Sequence, residues 1–190
     1  MKKRAVTFGR FNTFSKGHES FIQSILLKWD TVNIGVIDDG CCTKNYNKNK
    51  LFKNFIEECD ENYINPLNKL QHRINLMEIA LSEKGLLEKC SIKKINRPEL
   101  YPDNFNELFP VHLYDVVFAI DVDSQFDIKK IGVFELLLNR PIKLVKAELI
   151  LHTSDIIRTG KEQLGFSSAV IDYCKEHAIS LGGKSIERKR

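Results

Sequence analysis

No Cys-x-x-Cys pair occurs in this chain, and its five cysteines, Cys41, Cys42, Cys59, Cys90 and Cys174, form an odd, scattered set. A disulfide framework needs cysteines in even number, and a structural zinc site needs closely spaced ligands. Adjacent Cys41 and Cys42 cannot easily chelate one ion together. The expectation is reduced thiols and no metal held by protein ligands alone. Also missing is any run near the ~20 apolar residues of a membrane span. The opening MKKRAVTF turns polar too soon for a signal peptide, so the expected location is cytoplasmic, with no membrane partner. Charge of one sign is scarce as well: 29 basic against 25 acidic residues leave +4. Lysine is spread along the chain instead of gathering on one face, which argues against a nucleic-acid partner. Residues 184–190 alone are locally basic and read as a solvated tail. A mild positive balance suits an enzyme with anionic substrates.

What is present has an ordinary globular balance, with 43% hydrophobic and 28% charged residues in 190. That length suits one domain, here 1–183, followed by the tail. Residues 4–8 (RAVTF) are a short apolar run ending at Gly9, a first strand. His18, Phe21, Ile22, Ile25 and Trp29 recur at helical spacing, and 31–37 (TVNIGVI) is a β-branched second strand. Strand, loop, helix and strand make a βαβ unit with parallel strands. Residues 38–64 are rich in Asn and Lys, with a short helix at 50–59, and read as an inserted loop or a lid. Leu70, Ile74, Met77 and Leu81 mark a helix over 67–84, and 91–95 a third strand. Residues 96–112 hold three prolines and read as a long loop with one helical turn. YDVVFAI at 114–120 is the clearest buried strand. A helix over 128–138 places Ile128, Ile131, Phe134 and Leu138 on one face. A fifth strand at 142–146 and a last helix at 166–178 follow. The expected fold is α/β: a Rossmann-like, doubly wound, five-stranded, mostly parallel sheet with helices on both faces. Such sheets bind ligands at the carboxyl ends of the strands, where strand order reverses.

The loop after strand one reads Gly9-Arg10-Phe11-Asn12-Thr13-Phe14-Ser15-Lys16-Gly17-His18. Gly9 lets the chain turn off the strand, and Gly17 lets backbone approach a ligand where the helix opens. Unpaired N–H groups at a helix N-terminus favour phosphate. Ser15 offers a hydroxyl, Arg10 and Lys16 offer cations, and His18 offers an imidazole in the first turn. Nothing in the loop supplies a carboxylate base or an activated nucleophile. A site made of donors alone stabilises the charge that builds on a phosphoryl group in transfer.

GRFNTFSKGH resembles the first signature of the HxGH nucleotidyltransferase superfamily, which has a Rossmann-like fold. Thr153-Ser154-Asp155-Ile156-Ile157-Arg158 is similar to its second signature, a Ser/Thr-rich turn ending in Ile-Arg. Asn65-Pro66-Leu67, then Arg73 and Met77, resembles a segment of the archaeal-type nicotinamide mononucleotide adenylyltransferases. What the resemblance implies is a nucleotidyltransferase, adenylyl more than cytidylyl. It would move a nucleoside monophosphate from a nucleoside triphosphate to a small phosphorylated acceptor such as nicotinamide mononucleotide, releasing pyrophosphate. By the same resemblance His18 stabilises the transition state at the α-phosphate, with Arg158 beside it as a catalytic group. Gly9, Arg10, Phe11, Ser15, Gly17, Arg73, Thr153, Ser154, Ile157 and Arg158 hold the nucleotide, and Ser15 touches phosphate where the family has His or Thr. Mg²⁺ rides on the triphosphate. Lys44, Asp121 and Asp123 are the expected acceptor contacts, and a homo-oligomer is compatible with all of this. Two alternatives stay open: a cytidylyltransferase of a sugar- or alcohol-phosphate, and a catalytically inactive nucleotide-binding relative.

Overall fold

Alternation along each strand decides what the sheet buries. In β1 (Arg4–Gly9), Ala5 is buried toward one face and Val6 and Phe8 toward the other. The computed structural model describes residues 2–38, 52–57, 68–119, 125–147, 156, 159–179 and 181. After β1 come α1 (Lys16–Leu26), β2 (Thr31–Ile37), α2 (53–57), α3 (Leu70–Glu83) and β3 (Cys90–Ile95). Then follow α4 (Pro102–Leu108), β4 (Asp115–Ala119), α5 (Gln125–Leu138), β5 (Ile142–Val145), α6 (Glu162–Gly165) and α7 (Ser168–Glu176). The strands lie in the order β3-β2-β1-β4-β5, and every neighbouring pair is parallel. The fold is the expected doubly wound α/β sheet, wholly parallel among the described strands.

One face packs Ala5, Val32, Ile34, Val36, Val117 and Val145 beneath α1, α3 and α7. The other packs Val6, Val116 and Phe118 beneath α4 and α5 around the ring of Phe8. Phe8 meets Phe105, Phe118 and Phe134 edge-on, with ring centroids 4.9, 5.0 and 5.0 Å away. Burying one such ring stabilises the fold by about 1.5–3 kcal/mol. Gly35 belongs to this packing: a Cβ there would stand 2.6 Å from Ile95 Cδ1 and 3.1 Å from Phe8 Cβ. Phe55 of α2 lies edge-on to Phe134 at 5.9 Å, so residues 53–57 of the inserted segment are anchored on this face. The rest of the loop or lid, residues 39–51 and 58–64, lies outside the described residues.

Strand order reverses between β1 and β4, and there the ladder is short. β1 pairs with β2 from Arg4↔Thr31 to Gly9↔Val36, but with β4 only at Ala5↔Asp115 and Val6↔Val116. Beyond Val6 and Val116 the two strands part toward their carboxyl ends, which opens a crevice at the switch point.

Three elements differ from the sequence expectation. Residues 102–108 form a true helix, opened by Pro102 at a first-turn position where its missing N–H costs nothing. The last helix starts at Ser168 instead of 166, because Phe166 is extended and Ser167 caps α7 by accepting the Val170 N–H, and a separate short helix, α6, precedes it. Ile128 is 49% exposed, whereas Phe134 and Leu138 are buried, so the apolar stripe of α5 begins a turn later than its spacing suggests.

Candidate functional site

The crevice between the carboxyl ends of β1 and β4 encloses about 210 Å³. Gly9, Arg10, Phe11 and His18 line one side, and Phe118, Asp127 and Lys130 line the other. The sequence-predicted residues Gly9, Arg10, Phe11 and His18 therefore share one wall.

The loop that carries them is bent by Phe11, whose φ is +44°, a left-handed value that costs a bulky side chain. Gly9 is not where the chain turns. Its missing Cβ makes room for the Phe11 ring, which would otherwise stand 3.3 Å away. Phe11 and Phe14 then bracket His18: the Phe14 ring stacks on the imidazole at 5.3 Å and the Phe11 ring meets it edge-on at 5.4 Å.

Ser15 is the N-cap of α1, and His18 occupies the third helical position of a capping box. The Ser15 backbone N–H donates to His18 Nδ1 at 3.0 Å, and Ser15 Oγ stands 3.0 Å from the same nitrogen. A backbone N–H can only donate, so Nδ1 must accept, and the neutral ring carries its proton on Nε2. Ser15 is 0% exposed. The expected phosphate contact of its hydroxyl is therefore replaced by a contact with His18. Gly17 is buried within the first turn.

Arg73 was also expected on the triphosphate, and the structure uses it otherwise. It is 2% exposed; Nη1 donates to the carbonyls of Arg10 (2.7 Å) and Ile37 (2.9 Å), and Nε to that of Asn68 (3.0 Å). Its guanidinium thus ties the loop after β1 to the end of β2 and the approach to α3. Asn68 adds a second tie, its N–H reaching Asn12 Oδ1 at 2.7 Å and its amide reaching the Asn12 carbonyl at 3.1 Å. Lys16 leaves the crevice, its ammonium donating to the Gln163 carbonyl at 3.2 Å.

Sequence reasoning missed Asp127 and Lys130 of α5. Lys130 Nζ sits 4.7 Å from the centroid of the Phe118 ring, on the wall opposite His18. Lys44, Asp121, Asp123, Thr153, Ser154, Ile157 and Arg158 lie outside the described residues. Among the described residues no group of three His, Cys, Asp or Glu side chains gathers into a metal site. No described helix is long and apolar enough to cross a membrane.

No protein-family model and no curated protein sequence matches the chain. Solved structures do. Plasmodium falciparum nicotinic acid mononucleotide adenylyltransferase, complexed with NaAD, is 15% identical at a TM-score of 0.56, over 93% of this chain and 96% of that one. Its complex with APC gives 14% and 0.55, over 94% and 96%. A bifunctional NMN adenylyltransferase/ADP ribose pyrophosphatase from Francisella tularensis is 15% identical at 0.57, over 95% of this chain and 51% of that one. At these identities the likeness is one of fold: this chain is built as the mononucleotide adenylyltransferases are, along nearly its whole length.

Proposed function

We propose that the chain is an adenylyltransferase that moves AMP from ATP to a pyridine mononucleotide, nicotinate or nicotinamide, and releases pyrophosphate. The observation that carries this reading is the imidazole of His18, fixed by the Ser15 N–H on the wall of a crevice at the switch point. The shared fold supports it, because the solved neighbours are described as acting on these mononucleotides. Resemblance to the archaeal-type enzymes in particular rests on Asn65-Pro66-Leu67, Arg73 and Met77; the two described members, Arg73 and Met77, are buried.

In this mechanism a phosphate oxygen of the acceptor attacks the α-phosphorus of ATP. The bond from that phosphorus to the bridging oxygen breaks, and pyrophosphate leaves with the electron pair. Negative charge grows on the α-phosphate oxygens, and the Nε2–H of His18 donates to one of them. Arg10 and Lys130, which both line the crevice, hold the remaining phosphates. First-turn N–H groups of α1 add fixed partial charge. The rate arises from positioning and charge stabilisation. Thr153, Ser154 and Arg158 complete the nucleotide site in this reading, and Lys44 with the Asp121–Asp123 segment meets the acceptor. The donor set fits a Mg²⁺ that arrives on the triphosphate, with Asp127 the carboxylate of the described crevice wall; when bound, the ion would neutralise phosphate charge.

The test is pyrophosphate release from ATP, CTP, GTP and UTP, each against nicotinate mononucleotide, nicotinamide mononucleotide and a panel of sugar- and alcohol-phosphates. Turnover with ATP and a pyridine mononucleotide is the expected result. Turnover with CTP and an alcohol-phosphate would replace the assignment, and no turnover with any pair would return the chain to a binding role.

A further inference from the structure

At the opposite end of the sheet lies a second cavity, of about 340 Å³. Residues of even number in β1 and odd number in β2 and β3 share a face, because Val6 pairs with Asn33 and Asn33 with Ser91. Arg4, Asn33 and Ser91 therefore share that face near the amino end of the sheet, with Arg4 one row earlier beside Thr31, and Tyr114 stands just before β4. Lys2 and Lys89 close the rim, with Glu88 beside them.

Two properties of this cavity call for an anion. Its cations are unspent: among the described residues, Lys2, Arg4 and Lys89 make no ion pair, and neither does Glu88. Arg4 lies instead over the ring of Tyr114, 5.9 Å from its centroid. Three cations against one carboxylate leave the cavity positive. Second, Asn33 is only 7% exposed, its side-chain amide has no hydrogen-bond partner among the described residues, and its polar atoms are not shut away from solvent. It lines the cavity, so its amide is offered to an occupant.

We propose that this cavity is a second binding site, for a small phosphate ester. Arg4, Lys2 and Lys89 bind the phosphate, and Asn33, Thr31 and Ser91 bind its oxygens or the hydroxyls of the group it carries. Tyr114 forms the apolar wall. The volume suits a sugar phosphate or mononucleotide. β1 joins the two sites end to end: at about 3.3 Å per residue, Arg4 and Gly9 stand roughly 17 Å apart, so one small ligand cannot fill both.

The test is a calorimetric titration of the full chain with ribose 5-phosphate and with inorganic phosphate, run with a nonhydrolysable ATP analogue saturating the crevice. Trp29 gives a parallel fluorescence readout. It is the single tryptophan, and its indole N–H donates to Asp115 Oδ2 at 2.8 Å, next to Tyr114. Saturable binding of the ester is expected despite the analogue. Arg4→Gln with Lys89→Gln, both at exposed positions, should weaken it at least ~10-fold, the scale for losing two charge-assisted contacts. His18→Ala should leave it unchanged. Asn33→Leu, checked by circular dichroism for an intact fold, should weaken it as well. Competition by the ATP analogue, full affinity in the double variant, or no saturation would overturn the site. Inorganic phosphate binding as tightly as the ester would overturn the assignment to an ester.

Discussion

The two ends of β1 hold their polar groups in different ways. At the carboxyl end they are tied before any ligand arrives: the Ser15 N–H fixes His18, Arg73 fixes the Arg10 carbonyl, and Asn68 fixes Asn12. At the amino end Lys2, Arg4 and Lys89 are long exposed side chains with no carboxylate to hold them. A fixed donor loses no freedom when it meets a transition state, which is what catalysis needs. A mobile cation must be ordered by its ligand, which suits reversible binding and lowers affinity. The same strand thus presents a rigid end and an adaptable one.

Removing His18 is the most direct way to break this comparison. His18→Ala should lower kcat for pyrophosphate release by ~10²–10³, the scale for one transition-state donor, with nucleotide affinity little changed. Near-normal turnover would mean that the rigid end is not the reacting end.

Arg73→Met comes next. It keeps the bulk of the side chain but strips three carbonyls of their donor, and should cost about 2–4 kcal/mol in urea denaturation. If Arg73 bound the triphosphate instead, stability would hold and nucleotide affinity would collapse.

Ser15→Ala sharpens the comparison further. The backbone N–H that sets the His18 tautomer survives, so kcat should fall only about 2–10-fold, the worth of one hydrogen bond, with stability lower by ~1 kcal/mol for the lost cap. Ser15→Thr should restore both. A rise in acceptor KM with kcat unchanged would mean that the hydroxyl meets substrate.

Glu19→Gln should have the smallest effect, and it is a gain. Glu19 is buried in α1, and desolvation raises its carboxyl pKa above the usual 4.5, while Lys84 at 3.9 Å pulls it back only in part. The folded state therefore binds the proton more tightly. That contribution to stability is fully present below the unfolded value and lost as pH rises through the folded one. The glutamine variant should melt a few degrees higher at pH 7, on the order of 1 kcal/mol, and no higher at pH 4. Equal melting at both pH values would show that Lys84 compensates the carboxylate fully.

Much of the fold was legible because buried parallel strands are nearly continuous apolar runs, and TVNIGVI and DVVFA have no other reading. The place of the crevice was legible too, since the glycine-bounded loop follows the strand at which sheet order reverses. The roles inside it were not. Whether Ser15 faces phosphate or His18 depends on where α1 begins, and a shift of one residue would exchange the two. An arginine on a helix looks the same in sequence whether its fork meets a ligand or the carbonyls of Arg10 and Ile37. Asp127 and Lys130 carry no local signal at all; only the folded sheet brings α5 to the loop after β1. The break before α7 was readable in hindsight, because Ser167-Ser168 offers a cap inside an apolar stripe.

The short β1–β4 ladder has a kinetic consequence. Ala5 finds its partner at Asp115, 110 residues later in the chain. β1, α1 and β2 make local contacts and have the means to form early, yet the crevice has no second wall until β4 and α5 dock. Closing so long a loop is slow, and contacts of such separation are among the last that a chain gains. During synthesis, then, the half that carries His18 waits without a crevice until the chain beyond residue 119 has emerged, and a product cut short before β4 would hold the loop after β1 but lack the wall that Phe118, Asp127 and Lys130 supply.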